Sequence, residues 1–169
     1  GRAYGSAMHK AMQYLHFEAC GDEKSVRREI QRLVEEDFLT PEEGKLVNAR
    51  QIASFFDTDL GWKLRLGGEL LREFKFSILD QGQRYGAGLE GEQVLLQGVV
   101  DCALTEEDGI TILDFKTDRV DETTLAGAVR NYTPQVQTYA QALEKIFEQP
   151  VKAAYLYFFR LGKLEQVHF

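Results

Sequence analysis

Apolar residues recur every three to four positions through the first third of the chain and at alternate positions afterwards, so two architectures meet near residue 67. Met8, Met12 and Leu15 fall on one helical face, and Val26, Ile30, Leu33 and Val34 fall on another after the break at Gly21-Asp22. At Thr40-Pro41-Glu42-Glu43, a capping threonine, a proline suited to the first helical position and a reciprocal glutamate predict a third helix running to about residue 56. A shorter helix after Asp57 should end at Gly67-Gly68. From residue 69 onward the pattern predicts strands over 70–79, 94–104 and 110–116, with the glycine-rich stretch 81–92 as a mobile loop between the first two. A helix is expected from Thr133-Pro134 to about residue 148, then a strand over 151–160 and a partner strand over 163–169.

The order is helices followed by βββαββ. It predicts an α/β (α+β) fold in which a helical part, residues 1–67, packs on an α/β core, residues 68–169, within a single domain spanning 1–169. A length of 169 residues, 44% hydrophobic and 28% charged, suits one such unit with a substantial core. No apolar run approaches the ~20 residues that cross a bilayer, and no signal peptide is visible, so a soluble protein without membrane contact is expected. The chain opens on Gly1 and enters helical sequence directly, which suggests a segment of something longer.

Cys20 and Cys102 form no CxxC or Cys/His cluster, so neither a zinc site nor a disulfide framework is indicated, and a reducing cytoplasmic setting is the expectation. The formal charge of -7 argues against a surface that grips nucleic acid unaided. A nucleic-acid substrate would have to be delivered by something else.

Three charges interrupt the strand pattern: Asp101, Asp114 and Lys116. An ion buried without a partner is strongly destabilising, so charges at such positions usually have a job. Ile110, Ile112, Asp114 and Lys116 share one face of their strand, which begins apolar and ends charged, as a strand running from the core to a site would. The turn Thr105-Glu106-Glu107-Asp108-Gly109 makes this strand and the one before it an antiparallel hairpin. Asp101 and Asp114 reach the same side only if paired residue numbers sum to an odd value, as when Leu104 faces Gly109 or Thr111. Their β-carbons are then roughly 5 to 8 Å apart, a span that a cation can bridge.

Hard carboxylate oxygens without thiolates suit Mg2+, with Mn2+ able to substitute, and Lys116 could orient an attacking water or stabilise charge developing on a phosphate. The same pattern also fits a salt-bridged hairpin with no ligand. Gln135 and Tyr139, four apart on the following helix, share a face near its expected start and could contact a phosphate or hold Lys116.

GVVD, ILDFKTD and PQVQTYAQAL, in that order and spacing, resemble the RecB-type nucleases of the PD-(D/E)xK superfamily, with the strongest similarity to the carboxy-terminal nuclease domain of AddA-type helicase-nucleases. GSAMH near the start and REFKF at the opening of the first core strand extend the resemblance over nearly the whole chain. It implies a restriction-endonuclease-like core with a mixed sheet and flanking helices. It also implies His9, Asp101 and Asp114 as metal ligands together with the backbone carbonyl of Phe115, and Lys116 as the catalytic lysine. Gln135 and Tyr139 match the Q-x-x-x-Y motif that supports the active site and the DNA, and Glu73 matches a glutamate opening the first core strand.

The implied activity is Mg2+-dependent hydrolysis of DNA phosphodiesters. The single strand would emerge from helicase domains of the same polypeptide, and a partner of the AddB type would complete a complex used in double-strand break repair and recombination. Cluster-bearing relatives carry four cysteines, which this chain cannot supply, so no iron-sulfur cluster is expected. Two other readings remain: a nuclease fold that serves only as a DNA-binding or docking module, and a standalone exonuclease. His16 and His168 match no motif, and Trp62 is expected to pack between the helical and α/β parts.

Overall fold

A computed structural model describes residues 1–169. Five helices come first: α1 (Arg2–Tyr14), α2 (Glu23–Glu35), α3 (Pro41–Leu46), α4 (Ala49–Phe56) and α5 (Asp59–Arg65). Asp22 starts α2 by accepting from the Ser25 amide, and Thr40 and Glu43 form the reciprocal cap expected for α3. The single helix expected from residue 40 to about 56 is two helices. Val47 adopts an extended conformation, and the side chain of Asn48 accepts from the Gln51 amide to start α4 afresh. Asn48 is a stop-and-restart signal that the apolar spacing conceals. Trp62 is also corrected: α5 turns Leu60, Gly61 and Leu64 inward, leaving Trp62 on its outer side at 52% exposure.

The rest of the chain forms β1 (Glu69–Gln81), β2 (Gln93–Glu106), β3 (Gly109–Lys116), α6 (Leu125–Phe147), β4 (Val151–Phe158) and β5 (Lys163–Gln166). The strands lie in the order β1-β2-β3-β4-β5, antiparallel except for the parallel pair β3 and β4 that α6 connects. The βββαββ order matches the pattern in the sequence, and the mixed sheet is the one the family resemblance implies. The stretch between β1 and β2 closes through a bond from the Gly82 amide to the Glu92 carbonyl (2.8 Å) and one from the Tyr85 hydroxyl to Asp80 (2.6 Å).

Helix α6 begins at Leu125, well before Thr133-Pro134, and Pro134 sits inside it. The start is set by Asp121, whose Oδ1 accepts from the Thr123 and Thr124 amides at 2.8 and 3.0 Å. Near Pro134, which lacks an amide proton, the Thr133 hydroxyl bonds to the Val129 carbonyl (2.8 Å). The last strand is shorter than expected, since after Gln166 only the Val167 amide reaches back, to the Ala154 carbonyl at 2.8 Å.

Both faces of the sheet are covered. On one, Met8, Leu33, Phe55, Cys102, Leu113, Phe115 and Tyr157 join the helical part to the sheet. On the other, Ile110, Ile112, Val136, Leu143 and Leu156 pack α6 against it. Each such side chain contributes about 1.5–3 kcal/mol on burial. The alternation of faces breaks at one place. Leu71 and Phe74 of β1 both turn toward α6, as do Val100 and Ala103 of β2, so each strand spends an extra residue at Glu73 and Asp101. Pairing is interrupted there, and Glu73 has a φ of 51°, a left-handed conformation that costs about 1–3 kcal/mol for a residue with a side chain.

Candidate active site

The hairpin of β2 and β3 fulfils the register condition set by the sequence. Leu104 pairs with Thr111 and Cys102 with Leu113, where the ladder ends, and Asp101 and Asp114 follow on the two strands one step beyond. Its turn needs Gly109, whose φ of 140° lies outside the range of other residues and whose missing side chain admits the Pro150 carbonyl. Phe115 is fixed from the other face, its ring 5.2 Å from Phe55 and 5.4 Å from Phe159. That anchorage orients its backbone groups: the amide donates to Asp101 Oδ2 (2.8 Å), and the carbonyl faces α1.

Helix α1 brings His9 to this carbonyl. Nε2 lies 2.8 Å from the Phe115 oxygen and 3.3 Å from Asp101 Oδ2, while Nδ1 lies 2.9 Å from the Gly5 carbonyl. Gly5 permits the approach, because a Cβ there would stand 2.9 Å from Thr117 Oγ1. The far end of α1 is held by Arg72, whose Nη1 donates to the carbonyls of Met12 (3.3 Å), Gln13 (3.1 Å) and Leu15. The Arg72 guanidinium lies over Phe17 at 4.0 Å. The site is therefore assembled by one helix pinned at both ends to the sheet.

Its electrostatics follow from burial. Burial works against the charge on His9, but the bond to Asp101 and the negative charge there raise it to about 9. Burial followed by the charge of Asp101 pushes Asp114 up to about 7, whereas Asp101 is held below its usual range despite burial by its bonds to His9 and Asp114. Glu73 is raised by burial and then by the charge of Asp101.

Lys116 Nζ lies 2.7 Å from Asp114 Oδ2 as a charge contact rather than an aligned hydrogen bond, so this enclosed oxygen has no hydrogen-bond partner. The same ammonium donates to Gln135 Oε1 (3.0 Å) and lies 3.8 Å from the centre of the Tyr132 ring. Gln135 thus holds Lys116, one of the two roles open to it from the sequence. Gln135 and Tyr139 do not lie near a helix start as expected, because α6 begins at Leu125 and both fall in its interior. Tyr139 is buried against Phe76, their rings 5.9 Å apart, and Gly98 lets it in, since a Cβ there would meet both rings at 2.8 Å. Burial and then the charges of Asp114, Asp101 and Glu73 push the Tyr139 hydroxyl up to about 12.

Three residues here were not singled out from the sequence. Tyr132 forms one wall for Lys116, Asp118 accepts from the Tyr132 hydroxyl at 2.6 Å, and Arg72 fixes α1. A signal for the first was present: Tyr132 lies three residues before Gln135 and so on the same side of a helix, provided the helix is started at Leu125.

The donor set suits a hard divalent cation. Around an octahedral ion with ligands at ~2.1 Å, adjacent ligands stand ~3 Å apart, and the separations of His9 Nε2 from the Phe115 oxygen and Asp101 Oδ2 are 2.8 and 3.3 Å. No three His, Cys, Asp or Glu side chains are grouped so as to hold an ion by themselves, and the Phe115 carbonyl stands beside His9 as a further oxygen. Asp114 Oδ2, ion-paired with Lys116 but without an aligned hydrogen bond, supplies a further acidic oxygen beside them.

Residues 1–168 match the PD-(D/E)XK nuclease superfamily, and the chain belongs to it. It is also similar to large bacterial proteins named as ATP-dependent helicase/nuclease subunits. That of Geobacillus thermodenitrificans (strain NG80-2) is 39% identical over 165 residues, 92% of this chain. That of Pelotomaculum thermopropionicum (strain DSM 13744 / JCM 10971 / SI) is 39% identical over 161 residues, 94% of the chain. That of Bacillus cereus (strain AH187) is 35% identical over 165 residues, 92% of the chain. The aligned region covers 13% of each of these relatives. No helix is long and apolar enough to cross a membrane.

Proposed function

We propose that residues 1–169 act as one nuclease unit that hydrolyses DNA phosphodiester bonds with the help of Mg2+, or Mn2+ in its place. The carrying observation is that His9 Nε2 lies 2.8 Å from the Phe115 oxygen and 3.3 Å from Asp101 Oδ2, beside an Asp114 Oδ2 that pairs with Lys116 but has no aligned hydrogen bond. These four groups would hold the cation, which when bound lowers the cost of forming a water-derived nucleophile and offsets charge on the phosphate. In the reaction the water oxygen forms a bond to phosphorus, the bond from phosphorus to one ester oxygen breaks, and that oxygen leaves with a proton.

The protein's own groups prepare this step. Lys116, held between Asp114, Gln135 and the Tyr132 ring, lies where it would stabilise charge growing on the phosphate. Tyr139 and Glu73, whose titration feels the charge of Asp101, would support the site and the strand.

The relatives named as helicase/nuclease subunits support a setting in which helicase domains of the same polypeptide feed a DNA strand to the site. The net charge of -7 agrees with that division of labour, since the motor would supply the affinity that the acidic unit lacks. A cytoplasmic role in double-strand break repair, in complex with a partner of the AddB type, completes the proposal.

The test is cleavage of a labelled single-stranded oligonucleotide by the chain, with Mg2+ and with EDTA. Cutting that needs Mg2+ and falls more than about 100-fold in Asp114→Asn and Lys116→Ala is expected, the loss typical of removing a charge-stabilising group. Cutting that survives both substitutions, or none at any Mg2+ or DNA concentration, contradicts the proposal and favours a docking module.

A further inference from the structure

Beside the site, between α4 and the turn after β4, lies a concavity of about 310 Å³ lined by Asn48, Arg50, Gln51, Ser54 and Arg160 among others. It contains two arginines and no carboxylate, in a chain whose net charge is -7. Arg160 is half-buried and pairs with no acid. Its Nε donates to the Thr117 carbonyl (2.9 Å), and its guanidinium lies 4.4 Å from the centre of the Tyr4 ring. The Tyr4 hydroxyl in turn donates to Gln51 Oε1. This arrangement fixes the plane of the guanidinium and leaves its terminal N–H groups without protein acceptors. Nothing in the fold holds the Arg50 side chain, and only its backbone carbonyl is used, by the Ser54 hydroxyl at 3.0 Å.

The location ties the concavity to the chemistry. Thr117 follows Lys116 directly, one step of ~3.8 Å along the backbone, and the Phe159 amide donates to the Lys116 carbonyl at 3.0 Å. An oriented guanidinium fork with free donors, a second unpaired arginine and flanking amide and hydroxyl groups match the oxygens of a phosphodiester. Two unpaired arginines with no acid beside them favour a charged partner, which a phosphate is and a base edge is not.

We propose that Arg160 and Arg50 form a subsite for a backbone phosphate adjacent to the one being cut, which holds the DNA strand in register with Lys116. This rests on the nuclease reading and extends it to residues outside the cation-binding groups. Tyr4 and Gln51 are positioning residues that act through Arg160.

The test is binding of a labelled thymidine dodecamer in EDTA, where no cutting occurs, by fluorescence anisotropy across a range of salt concentrations. Each phosphate contact on a single strand contributes a slope of about -0.7 to log K against log salt. Arg160→Gln and Arg50→Gln are each expected to weaken binding several-fold and make the slope shallower by about 0.7, and the double variant by about 1.4. Where Arg160→Gln does not fold, Arg50→Gln carries the measurement, because its side chain supports nothing in the fold. A parent that cuts DNA while both variants keep its affinity and slope overturns the subsite alone. A parent that neither binds the dodecamer nor cuts DNA overturns the subsite and the nuclease reading together.

Discussion

His9 Nε2 lies 2.8 Å from the backbone oxygen of Phe115, across 106 residues of chain, and this contact joins the helical part to the sheet at the point where the chemistry is set. The imidazole, the carbonyl and Asp101 Oδ2 are spaced as neighbouring ligands of one ion would be. Without an ion the ring nitrogen is held by proton-mediated contacts instead, so cation binding and proton loss are coupled.

That coupling has a definite sign. Burial and Asp101 raise Asp114 to about 7, and His9 is raised to about 9 by Asp101 against the effect of burial. An incoming cation must displace the His9 proton throughout neutral pH and the Asp114 proton chiefly below pH 7. The slope of log affinity for Mn2+ against pH should therefore fall from about two near pH 6 to about one near pH 8. Calorimetry in buffers of different ionisation enthalpy counts the protons directly, and an affinity independent of pH over this range contradicts the assignment.

Lys116 is held by an aromatic face as well as by polar groups, its Nζ 3.8 Å from the centre of the Tyr132 ring. A cation on a partly buried ring gains about 1–2 kcal/mol, so Tyr132→Leu should lower kcat about tenfold. Tyr132→Phe keeps the face and loses only the bond to Asp118, so it should stay within about threefold of the parent. Equal losses in the two variants would mean that the hydroxyl, not the ring, matters.

Arg72 bonds to three carbonyls at the end of α1. Removing a charged donor from a partly buried place leaves those acceptors unpaired and should cost about 2–4 kcal/mol in urea unfolding. The same variant, Arg72→Ala, should bind Mn2+ more weakly because His9 rides on that helix. Unchanged stability would show that water replaces the guanidinium without loss.

Glu73 combines a left-handed backbone, φ 51°, with a place beside Asp101. Glu73→Gly removes the steric cost and should raise stability by up to about 1 kcal/mol while lowering nuclease activity, since strain kept at such a position is commonly tied to function. A variant that is both less stable and fully active contradicts this account.

The hairpin was legible because it is local. Asp101, Asp114 and Lys116 sit on adjacent strands joined by a turn, and alternation of side chains limits their pairing to odd-sum registers, of which the structure adopts Leu104 with Thr111. His9 and the Phe115 carbonyl were reached through the resemblance to a family, because no spacing rule links a helix near the start to a strand 106 residues on. The break of alternation at Glu73 and Asp101 was hidden, since the apolar pattern on either side reads as one continuous strand. Pro134 obscured two turns of α6 for a comparable reason: proline marks helix starts, and here it lies inside one whose start is fixed by Asp121. With those turns went Tyr132, which faces Lys116 only once the helix is extended backward.

The most direct test of the central claim is a calorimetric titration of Mn2+ into the chain, alongside Asp114→Ala and His9→Ala. Saturable binding in the parent that is lost in both variants is the predicted result, because both groups are taken to hold the same ion. No binding in the parent, or binding indifferent to both substitutions, would mean that His9, Asp101, Asp114 and Lys116 form a structural ion cluster instead of a cation site.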